Sequence, residues 1–212
     1  MGYVTEEKQA LIATLRDADP NADTLCTGWT TRRLLAHLVQ REQSQLHQLS
    51  DVIARKPPGE EPGLTRLVAA ATTPAGYQEL VSRFQAGPAR WTPMSWAAEQ
   101  LNLYEYVVHH EDIRRGGTVP SEPRSLPEGE ARALWKQVQQ LARFAYRRAP
   151  VGVLLVIPAG FTRVAKKGAG VTLTGDPVEL ALYGSGRRNA AHVEVTGPPV
   201  AVALFIQWVQ TT

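Results

Sequence analysis

The chain has 212 residues, 43% of them hydrophobic and 20% charged, with a formal net charge of +3; it is long enough to bury a real core, as one large domain or two small ones. No apolar run is long enough to predict a membrane span, and no run of Lys or Arg exceeds two residues, so charge gives a nucleic-acid role little support. A single cysteine, Cys26, excludes an intrachain disulfide. The polar start M-G-Y-V-T-E-E-K-Q is not a secretory leader, and Glu6 stands where a myristoylation motif requires Ser or Thr. A cytoplasmic protein is expected.

Val4 to Ala18 predicts a first helix, with Thr5 as N-cap, Leu11, Ile12 and Leu15 as its core stripe, and Asp19-Pro20-Asn21 as its stop. The connection T-L-C-T-G-W-T-T carries Trp29 as an anchor for the bundle end. Thr30 then caps a second helix, expected from Thr31 to Arg55, before the breaker Lys56-Pro57-Pro58-Gly59. Its apolar face includes Leu34, Leu35 and Leu38, and His37 lies among them, one turn from Arg33 and Arg41. Glu60 to Gly63 reads as a loop, Leu64 to Ala71 as a short helix, and Pro74 to Phe84 as another with proline near its start. Ala86-Gly87-Pro88 and Trp91-Thr92-Pro93 lead into the longest uninterrupted stretch, read as one helix from Ala98 to the Gly116-Gly117 stop.

After a proline-rich loop, Glu128 to Arg148 predicts a helix with Ala133, Leu134, Val138, Leu141, Phe144 and Ala145 inward, its last turns crowded by Arg143, Arg147 and Arg148. At Ala149-Pro150 the character changes. V-G-V-L-L-V-I-P, Phe161 to Ala165 and Val171 to Thr174 read as strands, with Lys166 to Gly170 as a hairpin turn. Asp176-Pro177 opens a short helix as N-cap and first helical position. Gly184 to Arg188 is a turn, Ala191 to Thr196 a strand, and Pro198 to Val209 a final helix. The fold class is therefore α+β: a helical domain over 1–149, which as long helices with short connections packs as a bundle, and a small α/β domain over 150–212.

The central helix holds the chemistry. Asn102, Glu105, His109 and Asp112 share one helical face. Glu105 and His109, one turn apart, can both reach one metal ion, and a two-His-one-carboxylate site then needs one further His from elsewhere. His37 is the candidate, and a bundle core is where facing helices build such sites. Asp112 is a candidate for orienting the His109 imidazole. His110 points about 100° away from His109 around the helix. The alternatives are His110 with Asp112, His47 in place of His37, or no site at all, the seam being the wet face of an amphipathic helix. Arg187, in Y-G-S-G-R-R-N, is a candidate carboxylate anchor, against the reading of a solvated loop arginine. Cys26 has no adjacent His and no second Cys at a CxxC spacing, and reads as a small apolar side chain. Gly184-Ser185-Gly186 lacks the third glycine and following helix of a dinucleotide fingerprint.

Three stretches together resemble the DinB-like metal-binding proteins, specifically the mycothiol-dependent maleylpyruvate isomerase group: L-C-T-G-W-T-T-R-R-L-L-A-H-L-V-Q-R-E around His37, N-L-Y-E-Y-V-V-H-H-E-D-I-R-R around Glu105 and His109, and V-T-L-T-G-D-P-V-E-L-A-L-Y-G-S-G-R-R ending at the Gly-Arg turn. Arg33 stands where related sequences often carry an acid. The resemblance is closest to an actinobacterial branch with a sterol-carrier-like C-terminal unit. It implies a four-helix bundle, a divalent metal, zinc foremost, held by His37, Glu105 and His109, the low-molecular-weight thiol mycothiol as cofactor, and Arg187 as the functional arginine. Such an enzyme, of isomerase or S-transferase type, would activate the thiol for addition, transfer or cis-trans isomerisation on a small electrophilic, carboxylate-bearing substrate, as a monomer or homodimer without nucleic-acid or membrane partners. The rival functions are a metal-dependent hydrolase, with Asp112 or Glu111 as general base, and a non-catalytic metal- or small-molecule-binding protein.

Overall fold

The computed structural model describes residues 2–43, 62–87, 95–118 and 121–211, with 43, 62 and 95–102 described by backbone alone. Among these, the elements run α1 (Tyr3–Asp17), α2 (Thr31–Gln43), α3 (Pro62–Ala70), α4 (Pro74–Ala86), α5 (Ser95–Gly116), α6 (Glu128–Ala145), β1 (Gly152–Val156), β2 (Thr162–Lys166), β3 (Gly170–Thr174), α7 (Pro177–Gly184), β4 (Glu194–Thr196) and α8 (Pro199–Gln210). A single 3-10 turn, Arg188–Ala190, follows α7. The chain is mixed α+β, as expected. Two compact units emerge, one of residues 1–99 with 109–121, the other of 100–108 with 122–212, so α5 contributes to both. The change of character at Ala149-Pro150 falls inside the second unit.

The first unit is helical. Leu11, Ile12 and Leu15 of α1, Leu34, Leu35 and Leu38 of α2, Leu64 of α3, and Tyr77, Leu80, Val81 and Phe84 of α4 are all buried. The α1, α2 and α4 sets recur at intervals of three and four, the signature of one apolar stripe per helix. Polar groups tie the stripes together: the Tyr77 hydroxyl donates to the Leu15 carbonyl at 2.8 Å, and Lys8 pairs with Glu42 at 2.8 Å. The α1 start differs from the expectation: its N-cap is Gly2 without a side-chain cap, and Thr5 lies inside the helix. Helix α3 begins at Pro62, so Gly63 is helical rather than loop; proline suits the first helical turn, where its missing N–H costs nothing. Thr73 caps α4 by accepting from the Gly76 N–H. Thr30 acts as the expected cap of α2, its carbonyl accepting from the Leu34 N–H at 3.0 Å. The predicted continuation of α2 to Arg55, His47, the Lys56–Gly59 breaker and Trp91-Thr92-Pro93 lie outside the described residues.

In the second unit α6, α7 and α8 accompany a sheet of order β2-β1-β3-β4. β1 pairs antiparallel with β2 and parallel with β3, and β3 pairs antiparallel with β4. The expected hairpin over Lys166–Gly170 is therefore corrected. The hairpin joins β1 to β2, and the 166–170 connection carries the chain past β1 to its other side. The passage is tight: a Cβ on Gly152 would lie 2.0 Å from the Gly168 carbonyl oxygen, which only glycine permits. Helix α6 stops at Ala145, before Arg147 and Arg148, and Phe144, expected inward, is 67% exposed. Trp135 is among the residues that fill the apolar side instead. Asp176 holds the N-cap position of α7 with extended backbone but no side-chain bond, and the last strand is three residues, Glu194–Thr196, rather than beginning at Ala191.

Candidate metal centre

Over the residues whose side chains are described, helix α5 is almost wholly inside. From Leu103 to Arg115 the half-buried residues are Tyr104, Glu105 and Arg114, and every other position is buried. His109 is 9% exposed and Asp112 is fully buried, so the wet-face reading of the seam fails. Of Asn102 only the backbone is described.

Each buried polar group on this helix has its own partner. His109 Nδ1 lies 2.8 Å from Asp112 Oδ2. A carboxylate only accepts, so in neutral His109 the proton sits on Nδ1 and the Nε2 lone pair is presented outward. The Cys26 thiol donates to the same Asp112 oxygen at 3.2 Å. His110 turns the other way, its Nδ1 2.9 Å from Glu7 Oε1 and its Nε2 2.8 Å from the Thr14 hydroxyl. The pairing of His110 with Asp112 as joint ligands is thereby disfavoured, since their side chains face different elements. Glu111, also fully buried, is held by Arg114 at 2.7 Å and by Arg115.

His37 comes from α2. Its ring meets that of His109 edge-on with centroids 5.5 Å apart, and that of Trp29 edge-on at 5.2 Å. The Arg33 guanidinium lies over the Trp29 ring at 5.2 Å. The loop carrying Trp29 is fastened at both ends: Asp23 bridges Thr30, and the Leu25 N–H donates to the Asp112 carbonyl at 3.1 Å. Trp29, expected at the bundle end, thus packs against His37.

The ligand atoms of His37, Glu105 and His109 all lie within 4.8 Å of one another, as do those of Cys26, His109 and Asp112. The first set gives two imidazoles and a carboxylate at separations on the scale of one ion with bonds of about 2 Å. His109 belongs to both sets, but its Nδ1 and the Cys26 thiol are already spent on Asp112. The three positions singled out from sequence are thus brought together. Two partners of α5 residues are not foreseeable from the sequence: Cys26 is 86 residues from Asp112 and Glu7 is 103 from His110, and no local pattern marks either.

Arg187 lies in the second unit. It does not point freely as expected: its guanidinium donates to the carbonyl of Ser185 at 2.7 Å, while its own N–H donates to Leu182 at 2.9 Å. The Tyr104 hydroxyl, one residue before Glu105, donates to the Ala181 carbonyl at 2.9 Å. Burial pushes the Tyr104 hydroxyl pKa up, partly offset by the Ser185 hydroxyl and the Arg187 charge, which places the arginine's field at this turn of α5.

Comparison with known proteins adds the following. A family profile described as the mycothiol maleylpyruvate isomerase N-terminal domain matches residues 3–114. Two crystal structures, a mycothiol-dependent maleylpyruvate isomerase and a histidine-to-alanine variant of one, share the fold. The variant gives a TM-score of 0.60 at 16% identity over 93% of both chains. The other gives 0.59 at 16% identity over 92% of this chain and 90% of that one. No curated protein sequence matches.

Proposed function

Because the chain belongs to the mycothiol maleylpyruvate isomerase family, a family of enzymes, we propose that it is a metal-dependent enzyme that activates a low-molecular-weight thiol against a small electrophilic carboxylate. The observation that carries this reading is the convergence of His37, Glu105 and His109 ligand atoms within 4.8 Å. Three protein ligands leave room for a further one, the arrangement of catalytic rather than structural sites. The donor set fits a divalent ion, zinc foremost. Such an ion, when bound, would supply Lewis acidity and favour the thiolate form of a thiol at neutral pH.

The chain's own residues do the rest. Asp112 accepts a hydrogen bond from the His109 Nδ1–H, which fixes the tautomer and leaves Nε2 for the ligand position. Trp29 holds the His37 ring against rotation. Arg187, whose guanidinium is drawn onto the Ser185 carbonyl in its Gly-flanked turn, is the residue we assign to a substrate carboxylate, which a guanidinium suits. A reduced thiol cofactor also accords with a cytoplasmic setting. Isomerisation is the reading the family favours; thiol transfer is its nearest variant.

The test is metal content by mass spectrometry, wild type beside His109→Ala, followed by turnover of maleylpyruvate and related electrophiles with and without mycothiol. About one equivalent of metal in the wild type and loss in the variant is expected, with turnover only when thiol is present. Metal-free protein after attempted reconstitution would overturn the reading, and turnover without thiol would convert it to hydrolysis by metal-bound water.

A further inference from the structure

Within the second unit, the C-terminal end of α7 meets α5 and the end of α6 around two tyrosine hydroxyls. Tyr146 is 3% exposed, and its hydroxyl has no hydrogen-bond partner among the described residues. A buried hydroxyl in that condition has lost its hydration with nothing in exchange, which is costly. It borders a cavity of about 40 Å³ lined by Tyr104, Tyr146, Leu155, Leu180 and Gly184 among others. One water needs only about 10–15 Å³ of such volume, and an aromatic ligand about ten times that. Gly184 looks straight into it: a Cβ placed there would lie 3.7 Å from the Tyr146 hydroxyl and 3.9 Å from that of Tyr104. Two hydroxyl oxygens therefore flank one open position.

The donors and acceptors complete a chain. The Tyr104 proton is committed to the Ala181 carbonyl at 2.9 Å, and the neighbouring Ser185 hydroxyl gives its proton to the Leu182 carbonyl at 3.1 Å, so the Tyr104 oxygen retains capacity to accept. The Tyr146 proton has no assigned acceptor. We propose that this cavity is a binding site for one ordered water, which accepts from Tyr146, donates to Tyr104, and pins the Gly184–Arg187 turn to α5. The Ala181 carbonyl also accepts from the Ser185 N–H, and the Arg187 N–H hangs on Leu182 in the next residue pair. The water thus braces the turn that carries Arg187, next to the helical turn that carries Glu105. The site does not depend on the proposed reaction, and its test uses neither metal nor substrate.

The decisive variant is Tyr146→Phe, which removes one oxygen and no carbon. With the water in place, the variant loses a satisfied hydrogen bond, and the melting temperature is expected to fall by about 2–4 °C. Amide exchange at Ser185 and Arg187 is expected to quicken. An unhydrated cavity predicts the opposite sign, since deleting an orphaned hydroxyl stabilises; a rise or no change in melting temperature overturns the proposal. Unaltered exchange at the turn overturns the pinning. A high-resolution crystal structure of the wild type gives the direct check: a solvent peak within about 3.2 Å of both hydroxyl oxygens is expected, and its absence sinks the site.

Discussion

Asp112 accepts from both a histidine and a cysteine while fully buried, and this makes it the most informative residue for testing the metal centre. Asp112→Asn preserves shape but replaces a charged acceptor with an amide. Metal affinity is expected to drop about 10–100-fold, measured by chelator competition, with the fold retained. His110, its neighbour two residues earlier, predicts a different phenotype. His110→Ala removes one hydrogen-bond partner from the buried Glu7 carboxyl and one from the Thr14 hydroxyl, at a cost of roughly 1–3 kcal/mol in stability. Metal content per folded molecule should not change. Thermal unfolding beside metal analysis separates the two histidines, whose adjacency in sequence conceals that they serve different faces of α5.

At the scale of the element, α5 is fixed by how closely other chain segments can approach it. The Gly116-Gly117 pair reads as a stop, and α5 does end at Gly116, but that is not why Gly116 must be glycine. Its role is proximity: a Cβ there would sit 2.3 Å from Thr24 Cα and 2.5 Å from Thr24 C. Since backbone must yield, Gly116→Ala is expected to cost about 1–3 kcal/mol or more, whereas Gly117→Ala, which meets nothing within 4 Å, should stay within about 0.5 kcal/mol. Equilibrium denaturation of the pair checks this. The same close approach lets the Leu25 N–H reach Asp112 and brings Cys26 and Trp29 to the histidines. A glycine pair can be read from sequence as punctuation, but not which of the two must remain a glycine.

For the whole molecule, the buried tyrosines set its behaviour in alkali. Burial pushes Tyr77 up to about 12, with Asp19 adding to the shift, and also raises Tyr104, Tyr146 and Tyr183. Between pH 10, where tyrosines of the unfolded chain ionise, and the raised folded values, the unfolded state binds fewer protons. Stability is therefore complete below about pH 10 and falls as pH rises, each such tyrosine steepening the loss by up to about 1.4 kcal/mol per pH unit. Urea unfolding at pH 9, 10 and 11 should show a declining midpoint, less steep in Tyr77→Phe. A divalent ion at the centre acts in the opposite sense: at a hundredfold excess over its dissociation constant it should add about 2.7 kcal/mol at neutral pH, read as a zinc-dependent rise in melting temperature absent from His109→Ala.

The sequence by itself determined the helix-rich first part, the strands beginning after Pro150, and the seam on which Glu105, His109 and Asp112 recur, because helical and strand periodicities are local properties of a chain. The convergence of His37 on that seam was legible through a family resemblance rather than through spacing. Tertiary structure alone decided that the seam is buried, that Cys26 shares Asp112 with His109, that His110 belongs to Glu7 and Thr14, that Phe144 faces solvent, and that β3 pairs with β1 rather than with β2. Each of these depends on which distant segment arrives at a given face, and nothing in a residue's neighbours along the chain records that.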